Sequence, residues 1–235
     1  MSTLHLLSGG AAKGLVTALR ARFLAQTGLT IEGHFDAVGI MKDQLLAGSP
    51  CDVVILTDAL ITQLTESCDV TAGSARPLGI VKTGIAVRDG ATPPPLATVA
   101  QLRQALLSAT AIYFPDPVKA TAGIHFMKVM QLLGVAADVA GRLRPHPNGA
   151  AAMHALAQSE QPGAIGCTQA TEIIFAPGVQ LAAALPQEFE LATVYTAAVS
   201  SRAVQPRAAA TLIELLTSTE AAGLRSAGGF EPVAG

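Results

Sequence analysis

The pattern of hydrophobic and polar positions repeats one motif along the chain: a short apolar strand, a loop of small residues and an amphipathic helix. The first motif runs from a strand at 4–7 through a glycine-rich loop into a helix predicted over 11–27. In that helix Leu15, Leu19 and Phe23 recur every four residues and so share one face. Strands that alternate with helices in this way predict parallel sheets covered by helices on both faces.

The same pattern predicts the remaining elements. A capping box of Thr98 and Gln101 starts a helix over about 99–108, because each side chain can bond the backbone N–H of the other. Further strands are predicted at 29–35, 51–57, 111–114, 163–168, 179–185 and 193–201. Further helices are predicted at 39–47, 58–65, from 121 to Leu133, from 149 to 158, and as a C-terminal pair over 206–226.

The chain changes character near residue 88, where the segment GATPPP is incompatible with a helix or a central strand. Two similar β-rich segments, 83–88 and 193–199, flank the region between them. Two such strands are what a chain needs to enter a second lobe and return. We therefore predict an α/β protein with lobe I at 1–84 and 197–235, lobe II at 85–196, and a ligand cleft between the lobes.

Composition narrows the possible partners. Only 14% of residues are charged, the formal net charge is −2 and the pI is near 6.2, so no basic surface for nucleic acid is expected. No apolar stretch reaches the roughly 18 residues of a membrane span. The chain enters its first strand directly after Met1, which predicts a cytoplasmic protein, or a periplasmic one if a leader has been removed. We expect a monomer.

Candidate binding residues lie where strands end and helices begin, because ligands of open α/β sheets bind beyond the carboxyl ends of the strands. Small residues there leave backbone N–H groups accessible, and a helix N-terminus favours an anion. Several such places together predict a shared site for a small anion. The loop residues are Ser8, Gly9, Gly10, Val38, Gly39, Thr57, Thr121, Ala122, Gly123 and Asn148.

The roles of several polar side chains stay open from sequence. Lys13 either faces the ligand or lies solvated on its helix. His125 and Glu172 are candidate general bases, or else a packed surface histidine and a helix-start carboxylate. Ser8 has no nearby base in sequence, so a hydrogen-bond donor is the better interpretation than a nucleophile.

The sequence contains no motif for nucleotide binding or for a hydrolase nucleophile. Neither a phosphate-binding loop nor a dinucleotide fingerprint is present, and no Gly-x-Ser-x-Gly elbow occurs. The histidines and the cysteines, Cys51, Cys68 and Cys167, lack metal-ligand spacing. We therefore expect no cofactor and no side-chain metal site, and small buried or half-buried thiols in a reducing compartment.

Several segments together resemble the molybdate-binding proteins of ABC transporters and the wider family of type II solute-binding proteins. They are SGGAAKGL at 8–15, the pattern A-G-x-x-x-D-V-V-I-L at 47–56, and YFPDPVKATAGIHF at 113–126. The resemblance implies a type II periplasmic-binding-protein-like fold, two lobes joined by two crossing strands, that binds a tetrahedral oxyanion or a small carboxylate. By position, the family's ligand contacts fall on Ser8, Gly9, Gly39, Ala122, Ala150 and the strand end near Cys167.

Departures from the molybdate-binding pattern point to a side branch that includes aconitate isomerase. The second loop has no hydroxyl, Cys167 replaces a tyrosine, and Lys13 adds a cation. A di- or tricarboxylate would suit Lys13, His125, Thr168 and Gln169. Two hypotheses follow: a binding protein that serves an ABC permease if it is exported, or a cofactor-free cytosolic isomerase that moves an allylic proton.

Overall fold

The computed structural model describes residues 3–233, which form nine strands and ten α-helices. The strands are β1 (Thr3–Gly9), β2 (Thr30–Asp36), β3 (Val53–Thr57), β4 (Arg76–Arg88), β5 (Ile112–Pro115), β6 (Leu143–His146), β7 (Ile165–Gln169), β8 (Val179–Ala184) and β9 (Ala192–Val199). The helices are α1 (Lys13–Thr27), α2 (Val38–Leu46), α3 (Asp58–Glu66), α4 (Val99–Ser108), α5 (Thr121–Leu132), α6 (Ala136–Val139), α7 (Gly149–Ala157), α8 (Ala170–Phe175), α9 (Pro206–Thr217) and α10 (Ala222–Ala227). Short 3-10 helices lie at Gly10–Ala12, Ala140–Arg142 and Gln187–Phe189.

The chain divides into two compact units. Unit 1 runs to Val81 and resumes at Thr193, and unit 2 comprises Lys82–Ala192. Sequence placed the divisions at 84 and 196, a few residues further along. The reason is that the first division falls inside β4 and the second inside β9, so no loop or change of element marks either position in the sequence.

Unit 1 is built on a sheet with the strand order β2-β1-β3-β9. β1 runs parallel to both β2 and β3, whereas β9 runs antiparallel to β3. α1 packs against α9. The strands and helices enclose a hydrophobic core that includes the fully buried Leu6, Phe23, Val54, Leu212 and Leu216.

Unit 2 has the strand order β4-β7-β5-β6, and β8 pairs with β4. β5 is parallel to β6 and to β7, whereas β4 is antiparallel to β7. Successive residues of a strand face opposite sides of a sheet. Accordingly, Ile85 belongs to one hydrophobic cluster and Ala86 to another.

Most of the predicted elements are present, and the capping box of Thr98 and Gln101 is confirmed. β6, α6 and α8 were not predicted from sequence. β6 contains a proline and is only half-buried, so it lacks the apolar signal of a strand, and α6 and α8 are too short for a helical period. No single helix within residues 3–233 is long and apolar enough to cross a membrane; Thr121–Leu132 with Ala136–Arg142 meets that test as a pair, with a 119° bend.

Candidate functional site

The first loop of unit 1 follows β1. Ser8 is fully buried, and its hydroxyl donates to the carbonyl oxygen of Gly9 over 2.8 Å. A Cβ atom on Gly9 would lie 2.7 Å from Cγ1 of Val38 and 3.1 Å from Cε1 of Tyr195. Glycine is therefore required here for packing within unit 1. The loop continues as the short 3-10 helix that starts at Gly10.

The helices that follow β2 and β3 begin without a side-chain cap in the described chain. Val38, the first residue of α2, is buried, while Gly39 beside it is half-buried. Thr57 precedes α3, and its hydroxyl does not cap the helix. The next residue, Asp58, accepts a hydrogen bond from the hydroxyl of Thr196 over 2.8 Å. Unit 1 therefore offers backbone N–H groups at these loops, while the buried hydroxyls of Ser8 and Thr196 bond within the unit.

Lys13 is the first residue of α1. Its side chain is half-buried and forms no ion pair or hydrogen bond within residues 3–233. An ammonium group without a partner is available to an anion or to solvent, so both interpretations of Lys13 stay open.

In unit 2, α5 begins in a tightly packed turn. Ala122 is buried, and a Cβ atom on Gly123 would overlap the carbonyl oxygens of Pro115 and Asp116. The carboxylate of Asp116 orders the turn by accepting from the backbone N–H groups of Val118 and Lys119, over 2.7 and 2.9 Å. No side chain caps the first turn of α5 in the described part of the chain, so the N–H groups near Thr121 have no side-chain acceptor.

The start of α7 differs because it has a cap. The side-chain oxygen of Asn148 accepts from the backbone N–H of Ala151 over 2.9 Å. Ala150 is exposed. The predicted contribution of Asn148 to a ligand therefore competes with its role as the N-cap of α7.

The carboxylate of Glu172 lies in the contact between α7 and α8. It accepts a 2.5 Å hydrogen bond from the hydroxyl of Thr168. A Cβ atom on Gly149 would overlap both Glu172 Oε2 and Thr168 Oγ1. The structure therefore places the candidate base Glu172 in a packed, hydrogen-bonded position, which favours the helix-start interpretation of this residue.

His125 lies on the second turn of α5, and its Nε2 atom is 2.8 Å from the carbonyl oxygen of Phe189. A carbonyl oxygen only accepts, so Nε2 carries the proton in this contact. In the neutral ring Nδ1 is then the acceptor. Any role of His125 as a general base would fall on Nδ1.

The end of β7 carries the most unusual polar residue of the site. Gln169 is 2% exposed, and neither its amide nitrogen nor its amide oxygen has a hydrogen-bond partner among the described residues. The hydroxyls of Thr83 and Thr171 are buried and equally without a partner. Sequence reasoning missed Thr83 and Thr171; the only signal for Thr83 was a hydroxyl inside the apolar run VKTGIAV.

Cys167 was predicted near the ligand, but its thiol lies in the hydrophobic core of unit 2. Its exposed fraction is 0%, and burial raises its pKa well above the ordinary value. The reason is that Cys167 lies two residues before the end of β7, in the hydrophobic core below the loop that follows the strand. Within residues 3–233, no group of three or more His, Cys, Asp or Glu side chains could hold a metal ion.

Comparison with known families identifies the class of protein. Residues 4–231 match the family described as bacterial extracellular solute-binding protein. The chain belongs to this family. A curated relative, aconitate isomerase from a Pseudomonas species, is 25% identical over 242 residues, which cover 99% of this chain and 89% of the relative.

Solved structures of this solute-binding class share the fold. The periplasmic molybdate-binding protein of Azotobacter vinelandii aligns with a TM-score of 0.81 at 18% identity, covering 98% of this chain and all of that chain. The sulfate-binding protein SubI of Mycobacterium tuberculosis aligns with a TM-score of 0.76 at 17% identity, covering 99% and 88% of the two chains. The solute-binding protein described here therefore has the two-lobed type II periplasmic binding fold, as its sequence predicted.

Proposed function

We propose that this solute-binding protein binds a small anion, either an oxyanion or a di- or tricarboxylate, through loops that follow its strands. The observation that carries the proposal is the buried, unpartnered amide of Gln169 at the end of β7. Burying a polar group without a partner costs free energy, and a bound ligand would supply the missing hydrogen bonds. Membership of a solute-binding family supports the same conclusion.

The surroundings of Gln169 favour negative charge. β5 and β7 are parallel neighbours, so the start of α5, which follows β5, lies at the same sheet edge as Gln169. α5 also packs against β7. The uncapped first turn of α5 presents N–H donors and the positive end of a helix dipole.

A thermal-shift screen followed by calorimetry tests this proposal. The panel contains citrate, trans-aconitate, malate, molybdate, tungstate, sulfate and a neutral sugar. A ligand that binds only the folded state adds about 2.7 kcal/mol of stability at a hundredfold excess over Kd. At least one anion should stabilise the protein. Stabilisation by the sugar while every anion fails would contradict the proposal.

A second candidate function is a cofactor-free isomerase of a small polycarboxylate. Two observations favour it: the similarity to aconitate isomerase, and the contact of His125 Nε2 with the carbonyl oxygen of Phe189, which leaves Nδ1 as the acceptor of the neutral ring. Such a reaction needs a base near a carbon-bound proton, and general-base catalysis contributes about 10²–10⁴-fold.

Incubation with trans-aconitate in D₂O, followed by NMR, distinguishes the two functions. An isomerase should introduce deuterium at the vinyl or methylene carbon, and His125→Ala should abolish the exchange. Binding of trans-aconitate without any exchange would rule out this reaction for that substrate. For a binding protein, we further propose a monomer that delivers its solute to an ABC permease.

A further inference from the structure

Two buried side chains of unit 2 face each other across β4 and β7 with unused hydrogen-bonding capacity. Thr83 and Gln169 are directly opposite in the antiparallel register, so both lie on the same face of the sheet. Their exposed fractions are 1% and 2%. Neither the hydroxyl of Thr83 nor either polar atom of the Gln169 amide has a partner within residues 3–233. The buried hydroxyl of Thr171 adds a third unpartnered group nearby in the chain.

The unused capacity includes both donors and acceptors. A glutamine amide offers two N–H donors and one carbonyl acceptor, and each threonine hydroxyl can donate once and accept. Both ends of the Gln169 amide lack a partner, so this count does not depend on which way the amide is turned. A ligand that completes the site must therefore accept hydrogen bonds and also donate at least one.

Different anions meet this requirement to different degrees. A fully deprotonated sulfate or molybdate has only acceptor oxygens, and so it leaves the carbonyl oxygen of Gln169 buried without a donor. A deprotonated carboxylate without a hydroxyl likewise leaves this carbonyl oxygen without a donor. A carboxylate with a hydroxyl on a neighbouring carbon provides acceptors and a donor within a few ångströms of each other, which matches one amide.

We propose, on the basis of the anion-binding function above, that Gln169 and Thr83 select small hydroxycarboxylic acids. The amide N–H groups of Gln169 donate to a carboxylate oxygen of the ligand, and the amide oxygen accepts from the ligand's hydroxyl. Thr83, opposite Gln169, supplies a further donor or acceptor to the same end of the ligand. The remaining carboxylates fall to the uncapped N-terminus of α5.

Calorimetric titration of two matched ligand pairs tests the proposal. Citrate and tricarballylate carry the same three carboxylates and differ by one hydroxyl, as malate and succinate do with two carboxylates. A buried acceptor left without a partner is costly, so the hydroxylated member of at least one pair should bind about fivefold tighter or more. In Gln169→Met this ratio should approach one. Gln104→Met, an exposed glutamine of unit 2, should keep the wild-type ratio.

The possible outcomes separate failure of the hydroxyl preference from failure of the proposed anion-binding function. Equal affinities within both pairs, binding of sulfate or molybdate alone, or a hydroxyl preference that survives in Gln169→Met would overturn this inference and leave the anion-binding function intact. Failure of every anion to bind the wild-type protein would overturn the proposed function and this inference with it. Thr83→Val provides a second test of the same preference. The ratio of affinities within each ligand pair should fall in this variant as well.

Discussion

Unit 1 and unit 2 present similar loops at the ends of their parallel strands, but their buried polar side chains are satisfied differently. In unit 1 the hydroxyl of Ser8 donates to its neighbour's carbonyl, and the hydroxyl of Thr196 donates to Asp58. In unit 2 the amide of Gln169 and the hydroxyls of Thr83 and Thr171 have no partner among the described residues. Within residues 3–233, the hydroxyl of Thr193 is the one buried side-chain group of unit 1 in that state.

This difference concerns the kind of polar group that each unit leaves available. The loops of unit 1 offer backbone N–H groups, which only a substitution to proline removes, together with the ammonium of Lys13. Unit 2 offers side-chain groups that are already buried and unsatisfied, and therefore costly until a ligand arrives. We expect binding to respond to steric and charge changes in unit 1, and to the loss of single polar atoms in unit 2.

The largest effect is expected where the backbone of unit 2 is packed most closely. Gly123→Ala places a Cβ atom against the carbonyl oxygens of Pro115 and Asp116. The free energy of unfolding should fall by about 2–3 kcal/mol, although alanine normally stabilises a helix. Urea unfolding followed by circular dichroism measures the change.

Gly141→Ala is the matched control, because nothing lies within 4 Å of the added Cβ atom. Its effect should stay within about 0.5 kcal/mol of wild type. If both variants are equally stable, the tight contact at the start of α5 is absent, and the donors there are not held in place as described.

Buried thiols provide the next comparison, with one in each unit. Burial raises the pKa of Cys51 in unit 1 from an ordinary value of 9.0 to about 12, and it also raises the pKa of Cys167 in unit 2. Above pH 9 the unfolded chain loses these protons while the folded protein keeps them, so stability falls as pH rises towards 12. Each thiol should contribute up to about 1.4 kcal/mol per pH unit.

Unfolding between pH 8 and 10.5 tests this expectation. Cys51→Ala and Cys167→Ala should each reduce the slope of stability against pH, whereas Cys68→Ala, an exposed thiol, should leave it unchanged. Identical slopes in all three variants and the wild type would show that the thiols are not buried in the folded protein.

A smaller effect distinguishes a satisfied hydroxyl from an unsatisfied one. Thr196→Val removes the donor to Asp58 and should cost about 1 kcal/mol in unit 1. Thr83→Val removes a hydroxyl without a partner, so stability in the absence of ligand should be unchanged or slightly higher. Thermal unfolding of the two variants without ligand measures both changes in stability. A loss in Thr83→Val as large as that in Thr196→Val would remove the difference between the units.

The strand and helix pattern, the two-lobed class and the glycine-rich helix starts were predictable, because apolar periodicity and turn residues are local properties. The site was predictable only as a set of loops. Gln169 was named from sequence, but its burial and its register with Thr83 depend on a pairing between strands some 80 residues apart in the chain, which no local pattern reveals. Cys167 was expected at the ligand because sequence position alone does not say how deep below the loops a strand residue lies.

The proposed binding function requires that the amide of Gln169 is kept buried and unsatisfied for a ligand. Gln169→Met, which keeps the length of the side chain and removes its polar atoms, tests that claim when stability and binding are measured on the same sample. Without ligand, the free energy of unfolding should rise by about 1–3 kcal/mol, since a buried unsatisfied group is lost. The affinity for the anion that stabilises the wild-type protein should fall at the same time. A less stable variant, or one that binds the anion as tightly as the wild type, would contradict the claim.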